Sequence, residues 1–335
     1  MFHFNIMETI LLGVSGIISI LLAVSFVRNK VEIKVLKESK MDLETKAAEA
    51  ELLISRMERT LPMELYREAV KEEGSRIRLT PAYLPFAVMD MNTEHFTEQI
   101  HAMQAKEIFD FINSILVKTV PYVYDKNGII DKFYKAGFTA FFEKSCEEAL
   151  EAAVSISQII YQEAEQSEQF SHFSVGMCYG SVLAGIAGTD KRMSLITVSE
   201  YTGLSSFLQS IAGKYDSRIL ITGTLRNKVE AFEQKFHARK LGYVYITSKK
   251  SLEEIYDVFD GDPIAVRNNK RKTKIVFEKG VAFYTQGEYE KARQYFIEVF
   301  KTNRYDGAAK EYLMRCEKNI AEEKKNTGMP QIETY

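Results

Sequence analysis

The sequence predicts an α+β fold in which one sheet carries helices on one face, preceded by a long helical segment and followed by a helical hairpin. First, short apolar runs bounded by turn residues alternate with amphipathic stretches of helical period. Second, the chain begins with an uncharged run and then a heptad pattern. Third, 335 residues with 46% hydrophobic content fit one main domain plus appendages.

The composition excludes several classes of protein. The net charge is −2 with Lys and Glu evenly mixed, so the chain lacks the basic footprint of a nucleic-acid-binding protein. The three cysteines, Cys146, Cys178 and Cys316, have unrelated spacings and match neither a disulfide framework nor a zinc site. Thiols of this kind are typical of a reducing, cytoplasmic environment.

The first appendage is the uncharged run at residues 10–27, whose eighteen residues are close to the minimum for a membrane-spanning helix. No Lys or Arg precedes it, whereas Arg28 and Lys30 follow at once. The positive-inside rule therefore predicts that residues 1–9 lie outside the membrane and that the rest of the chain is cytoplasmic. A cleaved signal peptide is the alternative, but residues 1–8 lack its basic region.

Residues 28–61 have the spacing of a coiled coil. Seam positions alternate at intervals of four and three residues, which is typical of paired helices. These positions are Leu36, Lys40, Leu43, Ala47, Ala50, Ile54, Met57 and Leu61. We predict a short parallel dimeric coiled coil that ends near Pro62, and a single solvated amphipathic helix is the alternative.

The elements of the main domain follow from periodicity and turn signals. An apolar strand that ends at Asp90 opens the domain, and a hairpin is predicted about the turn at residues 125–128. The predicted strands are 83–89, 120–124, 129–134, 137–142, 174–179, 181–186, 218–222, 243–247 and 255–259. The predicted helices are 97–117, 145–163 and 203–215.

Three local motifs follow one another along this domain. They are residues 86–91 (Phe-Ala-Val-Met-Asp-Met), residues 127–133 (Asn-Gly-Ile-Ile-Asp-Lys-Phe) and the glycine-rich run at 176–188, which is followed by Lys191 and Arg192. In this order they resemble a class III adenylyl/guanylyl cyclase homology domain over residues 79–260. The resemblance implies a ferredoxin-like sheet and a nucleotide site at a head-to-tail dimer interface.

The resemblance also implies that the metal site has lost its chemistry. In the family two Asp residues hold two Mg²⁺ ions, which require carboxylate oxygens. Asp90 matches the first, although a longer turn follows it, and Ala136 stands at the position of the second. Between Lys132 and Phe142 there is no Asp or Glu, and Lys135 adds a positive charge.

The positions that bind the nucleotide and stabilise the transition state differ in the same way. Gly203 stands at the position of the family's Asn and Phe207 at that of its Arg, and Phe cannot replace a charged donor. Ile196 stands at the base-reading position and has no hydrogen-bonding group, and Thr197 takes that position if the register slips by one residue. Lys132 matches the base-contacting Lys of the family. We expect no catalytic residues and no cofactor, and Mg²⁺ or Mn²⁺ only if Lys132 and Asp90 retain nucleotide binding.

The C-terminal part is predicted to be helical. Residues 261–272 read as a basic linker, and residues 273–319 have the spacing of a tetratricopeptide-like hairpin about the turn at 286–288. One such unit can pack on the main domain or dock a protein partner. Residues 320–335 are polar and are predicted to be disordered.

These observations lead to the hypothesis of a single-pass, catalytically degenerate cyclase-like protein of a bacterial inner membrane. It would act as a dimerising scaffold or regulatory subunit in an envelope-associated signalling assembly. Its partner would be a second copy, through the coiled coil and the cyclase-like domain, or a related protein in a heterodimer. The alternatives are a divergent but active adenylate cyclase that makes cAMP from ATP, and a non-catalytic ATP-binding sensor.

Overall fold

The chain divides into two compact units, residues 1–61 and residues 62–335. The structure is a computed structural model. It describes residues 2–58, 70–73, 76–79, 82–93, 95–166, 170, 172–189, 192–323 and 332–335.

The first unit is one continuous helix, α1, which runs from Phe2 to Glu58. The backbone of residues 10–27 is helical, but several of their side chains lie outside the described part of the chain. Within the described residues, no helix is both long and apolar enough to cross a membrane, so the predicted span has no support from the structure.

The segment predicted as a coiled coil, residues 28–61, is helical as far as Glu58, and residues 59–61 lie outside the described residues. Two predicted seam residues, Leu36 and Leu43, are exposed in the single chain. Ion pairs four residues apart occur along the same helix, as between Lys34 and Glu38.

The second unit is built on a nine-stranded sheet in the order β11-β9-β10-β8-β6-β3-β5-β4, with β7 paired to one end of β6. The pairs β6–β8 and β11–β9 are parallel, and the remaining pairs are antiparallel. β1 and β2 pair with each other in a separate two-stranded antiparallel sheet. The strands are β1 (Val70–Glu73), β2 (Arg76–Leu79), β3 (Ala82–Thr93), β4 (Ile129–Tyr134), β5 (Gly137–Phe142), β6 (Phe173–Thr189), β7 (Arg192–Val198), β8 (Ile219–Thr222), β9 (Ala238–Ile246), β10 (Ser251–Val258) and β11 (Glu333–Thr334).

Helices lie on both faces of this sheet, so the prediction of helices on one face is wrong. The helices of the second unit are α2 (Phe96–Ile100), α3 (Ala105–Tyr124), α4 (Cys146–Ala164), α5 (Glu200–Ile211), α6 (Gly223–Arg226), α7 (Phe232–Lys235), α8 (Ile264–Thr285), α9 (Tyr289–Thr302) and α10 (Gly307–Glu323). Alternate residues of β3 point to opposite faces. Met89 belongs to the core that α3 and α4 cover, whereas Val88 packs in the core of α5 and α8–α10.

Several predicted elements have different bounds. Residues 120–124 are the last turn of α3 and not a strand, and the helix predicted at 97–117 is interrupted before Gln104, whose capping box with Glu107 starts α3. The predicted pair 174–179 and 181–186 is one strand, β6. Gly180 lies inside that strand, and its missing Cβ leaves room for the ring of Tyr201, which would lie 2.2 Å from a Cβ at this position.

The C-terminal helices pack directly on the sheet. Residues 261–272, predicted as a linker, are helical from Ile264. Lys270 in this stretch is buried and lies 3.0 Å from Asp257 and 2.7 Å from Asp262. The tail predicted as disordered, 320–335, continues α10 to Glu323 and returns as β11, while residues 324–331 lie outside the described residues.

Candidate functional site

Asp90 lies inside β3, which continues past it to Thr93 and does not end there as predicted. Its backbone pairs with Thr139 on one side and Gly176 on the other, so its carboxylate is held in the middle of the sheet. The side chain is only 1% exposed. The hydroxyl of Thr139 donates to Oδ2 at 3.1 Å, and the hydroxyl of Tyr134 donates to Oδ1.

Burial raises the pKa of Asp90 to about 6. The hydrogen bonds from Tyr134 and Thr139 and the charge of Lys132 oppose this rise but do not cancel it. Both carboxylate oxygens thus accept a hydrogen bond from a side chain of the same chain.

Tyr134, the last residue of β4, covers the carboxylate of Asp90. Its hydroxyl also lies 3.5 Å from Oγ of Ser206 on α5, and its backbone oxygen accepts a hydrogen bond from Nδ2 of Asn92 at 3.1 Å. Burial and the nearby Asp90 raise the pKa of Tyr134, so the phenol stays neutral and remains a donor.

The position of the second family carboxylate is closed. Ala136 follows Lys135, whose φ of 52° makes a left-handed turn, and its methyl group is fully buried in the core. A Cβ on the next residue, Gly137, would lie 1.8 Å from the backbone oxygen of Met91, so the two strands approach closely here. In the part of the chain that the structure describes, there is no group of three or more His, Cys, Asp or Glu that could hold a metal ion.

The family's two-metal site therefore does not fit the residues present. One carboxylate is missing at Ala136, and the other, Asp90, is buried with both oxygens hydrogen-bonded. A Mg²⁺ ion would have to displace Tyr134 and Thr139 and would find one carboxylate where two-metal chemistry shares several.

The base-reading position lies on β7, where the side chain of Ile196 is 44% exposed. The hydroxyl of the next residue, Thr197, donates to both oxygens of Asp131, at 3.0 and 3.1 Å. Nζ of Lys132 lies 3.7 Å from the same carboxylate. The pKa of Asp131 is raised by burial, against the opposing charge of Lys132. The polar groups on this surface thus contact one another, and Ile196 presents only carbon.

Gly203 and Phe207, which stand at the positions of the family's transition-state residues, lie on α5 and are covered by Tyr335. The ring of Tyr335 lies 5.5 Å from the ring of Phe207, and its hydroxyl donates to the backbone oxygen of Glu200 at 3.0 Å. A Cβ at Gly203 would lie 2.0 Å from that hydroxyl. Glycine inside a helix is unfavourable by about 1 kcal/mol relative to Ala, and the space that Tyr335 occupies accounts for it here.

Comparison with known proteins gives relatives of one kind. The chain is 28% identical over 232 residues to an adenylate cyclase, terminal-differentiation specific, of Dictyostelium discoideum, covering 67% of this chain and 11% of that protein. It is 25% identical over 173 residues to an adenylate cyclase of Anabaena cylindrica, covering 49% of this chain and 34% of that protein. No family profile matches the chain.

Among solved structures, a bacterial light-regulated adenylyl cyclase has the same fold, with a TM-score of 0.56 and 13% identity over 67% of this chain and 66% of that one. The sequence relatives and this fold support a nucleotidyl cyclase homology domain. The chain spans 11% and 34% of the lengths of its two sequence relatives.

The fold of the second unit brings some of the predicted site residues together and separates others. Asp90, which was predicted, contacts Tyr134 and Thr139, which were not. Tyr134 in turn lies close to Ser206. The only local signal for Tyr134 was its place directly after the motif at 127–133.

Tyr335 had no signal in the sequence, because the tail around it is polar and has no periodicity. As placed, the Asp90 site can hold a proton in a buried hydrogen-bond network. Among the described residues it offers one carboxylate, Asp90, where the family's metal site has two, and the charges of Lys132 and Lys135 act on that carboxylate.

Proposed function

We propose that the chain is a non-catalytic nucleotidyl cyclase homologue that acts by pairing with a second cyclase-like domain, as a scaffold or regulatory subunit. The observation that carries this proposal is the closed state of Asp90, which accepts hydrogen bonds from Tyr134 and Thr139 in the interior of the sheet. A family metal ligand must be open to the substrate, whereas this carboxylate is buried with both oxygens already hydrogen-bonded. Burial also raises its pKa to about 6, which opposes its ionisation.

The substitutions at Ala136 and Phe207 remove groups that the family's cyclisation reaction uses for different purposes. Ala136 removes the second metal ligand, and Phe207 removes a charge that would stabilise the transition state. Such electrostatic stabilisation is typically worth about 3–4 kcal/mol. No second copy of this chain supplies the missing groups, because each copy lacks them.

An exposed apolar strip on the domain supports the pairing. Tyr83 and Val198 lie opposite Leu183 in adjacent strand pairs, so the three side chains point to the same face, and Ile196 is two residues along. Tyr83, Ile196 and Val198 are exposed large hydrophobic side chains. Contiguous apolar surface of this kind is typical of a protein interface. It fits the matching strip of a second copy or of a related cyclase domain.

A cyclase assay tests the proposal. The full chain is incubated with ATP and Mn²⁺, and we expect no cyclic nucleotide above the level of a blank preparation. Product that disappears in Asp90→Asn would overturn the proposal and favour the divergent adenylate cyclase, the activity that the names of the two relatives carry.

Calorimetric titration with ATP separates the scaffold from the ATP sensor. The scaffold predicts no saturable heat, since Lys132 already contacts Asp131 and Ile196 cannot read a base. Saturable heat that is lost in Lys132→Ala would identify a sensor instead.

Attachment to a bacterial inner membrane is a separate proposal, and its support is the uncharged sequence of residues 10–27 alone. In that proposal residues 1–9 lie outside and the cyclase homology domain is cytoplasmic. Alkaline carbonate extraction of membranes tests it: an anchored chain stays in the pellet, and release into the supernatant would contradict the anchor.

A further inference from the structure

Residues 332–335 contact the sheet as a docked peptide does. β11 adds to the edge of the sheet beside β9, with Glu333 opposite Val244 and Thr334 opposite Tyr245. The backbone N–H of Tyr335 donates to the oxygen of Tyr245 at 2.9 Å, and the N–H of Thr247 donates to the oxygen of Tyr335 at 2.8 Å. Main-chain pairing of a short extended segment with a sheet edge is a common mode of peptide recognition.

The carboxylate of Glu333 enters a basic pocket. It accepts hydrogen bonds from Nη2 of Arg315 at 2.5 Å, from Nζ of Lys214 at 3.1 Å and from the hydroxyl of Tyr215 at 3.4 Å. Burial by itself would raise the pKa of Glu333, but the charges of Arg315 and Lys214 lower it below its usual value. The side chain is 13% exposed, so the pocket binds an ionised carboxylate away from most of the solvent.

The side chain of Tyr335 fills the next position of the site. Its ring packs on Phe207, its hydroxyl donates to the backbone oxygen of Glu200, and the absence of a Cβ at Gly203 makes room for it. Glu333 and Tyr335 are two residues apart in an extended segment, so both point to the same side. The basic pocket formed by Lys214 and Arg315 thus binds Glu333, and the position formed by Gly203 and Phe207, called the seat below, binds Tyr335. The two recognise alternate residues of one strand.

We propose that the edge of β9, the Lys214–Arg315 pocket and the Gly203–Phe207 seat form a recognition site for an extended peptide with Glu two residues before Tyr, and that residues 333–335 are its resident ligand. Each part selects a different feature of that peptide: the strand edge its backbone, the basic pocket a carboxylate, and the seat an aromatic ring with a hydroxyl donor. The proposal does not depend on whether the chain makes a cyclic nucleotide. A partner segment with the same Glu-X-Tyr pattern would compete with the resident one.

The test empties the site in the full chain and supplies the ligand separately. The emptied variant is Glu333→Ala with Tyr335→Ala, and the probe is a fluorescein-labelled, C-terminally amidated peptide of residues 329–335. In fluorescence anisotropy we expect the emptied variant to bind the probe saturably and at least about tenfold more tightly than the unaltered chain, whose own tail competes. Binding by the unaltered chain that equals binding by the variant would overturn the proposal.

Altered probes and a matched pair of lysine variants test whether the charged contact of Glu333 and the aromatic contact of Tyr335 contribute to binding. Probes that carry Glu333→Lys or Tyr335→Ala are each expected to bind about tenfold more weakly, because each loses one charged or aromatic contact. In the emptied variant, Lys214→Glu should weaken binding by a similar factor, whereas Lys106→Glu, an exposed lysine of α3, should not. Equal binding of all probes would show adhesion without recognition and would overturn the proposal.

Amide hydrogen exchange gives a second test that needs no added peptide. The N–H of Thr247 is protected by Tyr335 in the unaltered chain, and Glu333→Lys places a cation in the Lys214–Arg315 pocket. We expect its exchange to rise about tenfold or more while the central strand β3 stays protected. Unchanged exchange at Thr247 would mean that the pocket does not hold the segment.

Discussion

At the scale of single residues, the burial of Asp90 sets the charge of the site. Its pKa is about 6 in the fold, against a usual value of 3.8, so the folded protein binds the proton more tightly than the unfolded chain does. The contribution of Asp90 to the free energy of unfolding is therefore greatest at low pH, and it falls as the pH rises from about 4 to 6. Above pH 6 the ionised carboxylate lowers stability by a constant amount.

Asp90→Asn removes this pH-dependent loss. The Asn amide can still accept a hydrogen bond from Tyr134 or Thr139 and carries no charge into the core. We expect the stability gain over the unaltered chain to be about 2 kcal/mol larger at pH 7.5 than at pH 4.5. Urea unfolding at the two pH values measures it, and an equal difference at both would contradict the assignment of the raised pKa.

Motif positions such as Asp90 and Ala136 could be predicted because they are set by local sequence. The side chains that cover them could not. Tyr134 reaches Asp90 only through the register of β4, β5 and β3, and Tyr335 reaches Gly203 only because residues 332–335 pair with β9. Long-range pairing of this kind leaves no periodic signal in a short stretch of sequence.

At the scale of elements, predictions from local sequence signals are confirmed where those signals decide the structure, and they are wrong where long-range packing decides it. The strands predicted at 129–134 and 137–142 have those bounds, because each is rich in β-branched or aromatic residues and lies beside a tight turn. Residues 120–124 have strand-like composition but continue α3, since tertiary packing overrides a weak local preference. The covering of the second face by α8–α10 depends on buried charges that composition does not reveal.

Those charges join the C-terminal helices to the sheet. Arg239 on β9 lies 3.0 Å from Asp257 and 2.6 Å from Asp306, and Lys270 on α8 also contacts Asp257. All of these side chains are buried. Burial alone would lower the pKa of Lys270, but Asp257 and Asp262 raise it, so the lysine stays charged.

Lys270→Met leaves Asp262 buried without its cation and leaves Asp257 with Arg239 as its remaining cation. Removing one partner of a buried ion pair costs about 3–5 kcal/mol, far more than the loss of a surface lysine. We expect a fall of that size in the free energy of unfolding, measured by urea denaturation. Lys272→Met, an exposed lysine of the same helix, is the matched control and should change stability by less than about 0.5 kcal/mol. Equal effects of the two variants would mean that the network does not hold α8.

At the scale of the whole molecule, the exposed apolar strip of Tyr83, Ile196 and Val198 predicts that the second unit associates with a second copy of itself. Val198→Glu places a charge in the strip beside Tyr83 and Ile196, where a partner would have to desolvate it. Sedimentation of the full chain in mild detergent should show a shift from dimer towards monomer. Val117→Glu, at a valine on α3 that is also exposed, is the control. Dissociation by both variants, or by neither, would place the interface elsewhere.

The second contact between chains is predicted along α1, where Leu43 is 64% exposed although it occupies a heptad seam position. We expect this 57-residue helix to bury its exposed leucines by pairing with another helix. The three native cysteines are buried, and burial raises the pKa of Cys146 to about 11, so a cysteine added on α1 is the reactive one. Leu43→Cys should therefore form a disulfide-linked dimer under mild oxidation.

The control for this cross-link is Thr45→Cys, which faces away from the predicted seam on the same exposed helix. In a parallel coiled coil the two Leu43 positions face each other within the range of a disulfide, whereas the two Thr45 positions lie on opposite sides. Non-reducing gel electrophoresis compares the two rates. Equal cross-linking would indicate random collision, and no dimer from Leu43→Cys would remove α1 from the interface and leave pairing to the strip around Val198.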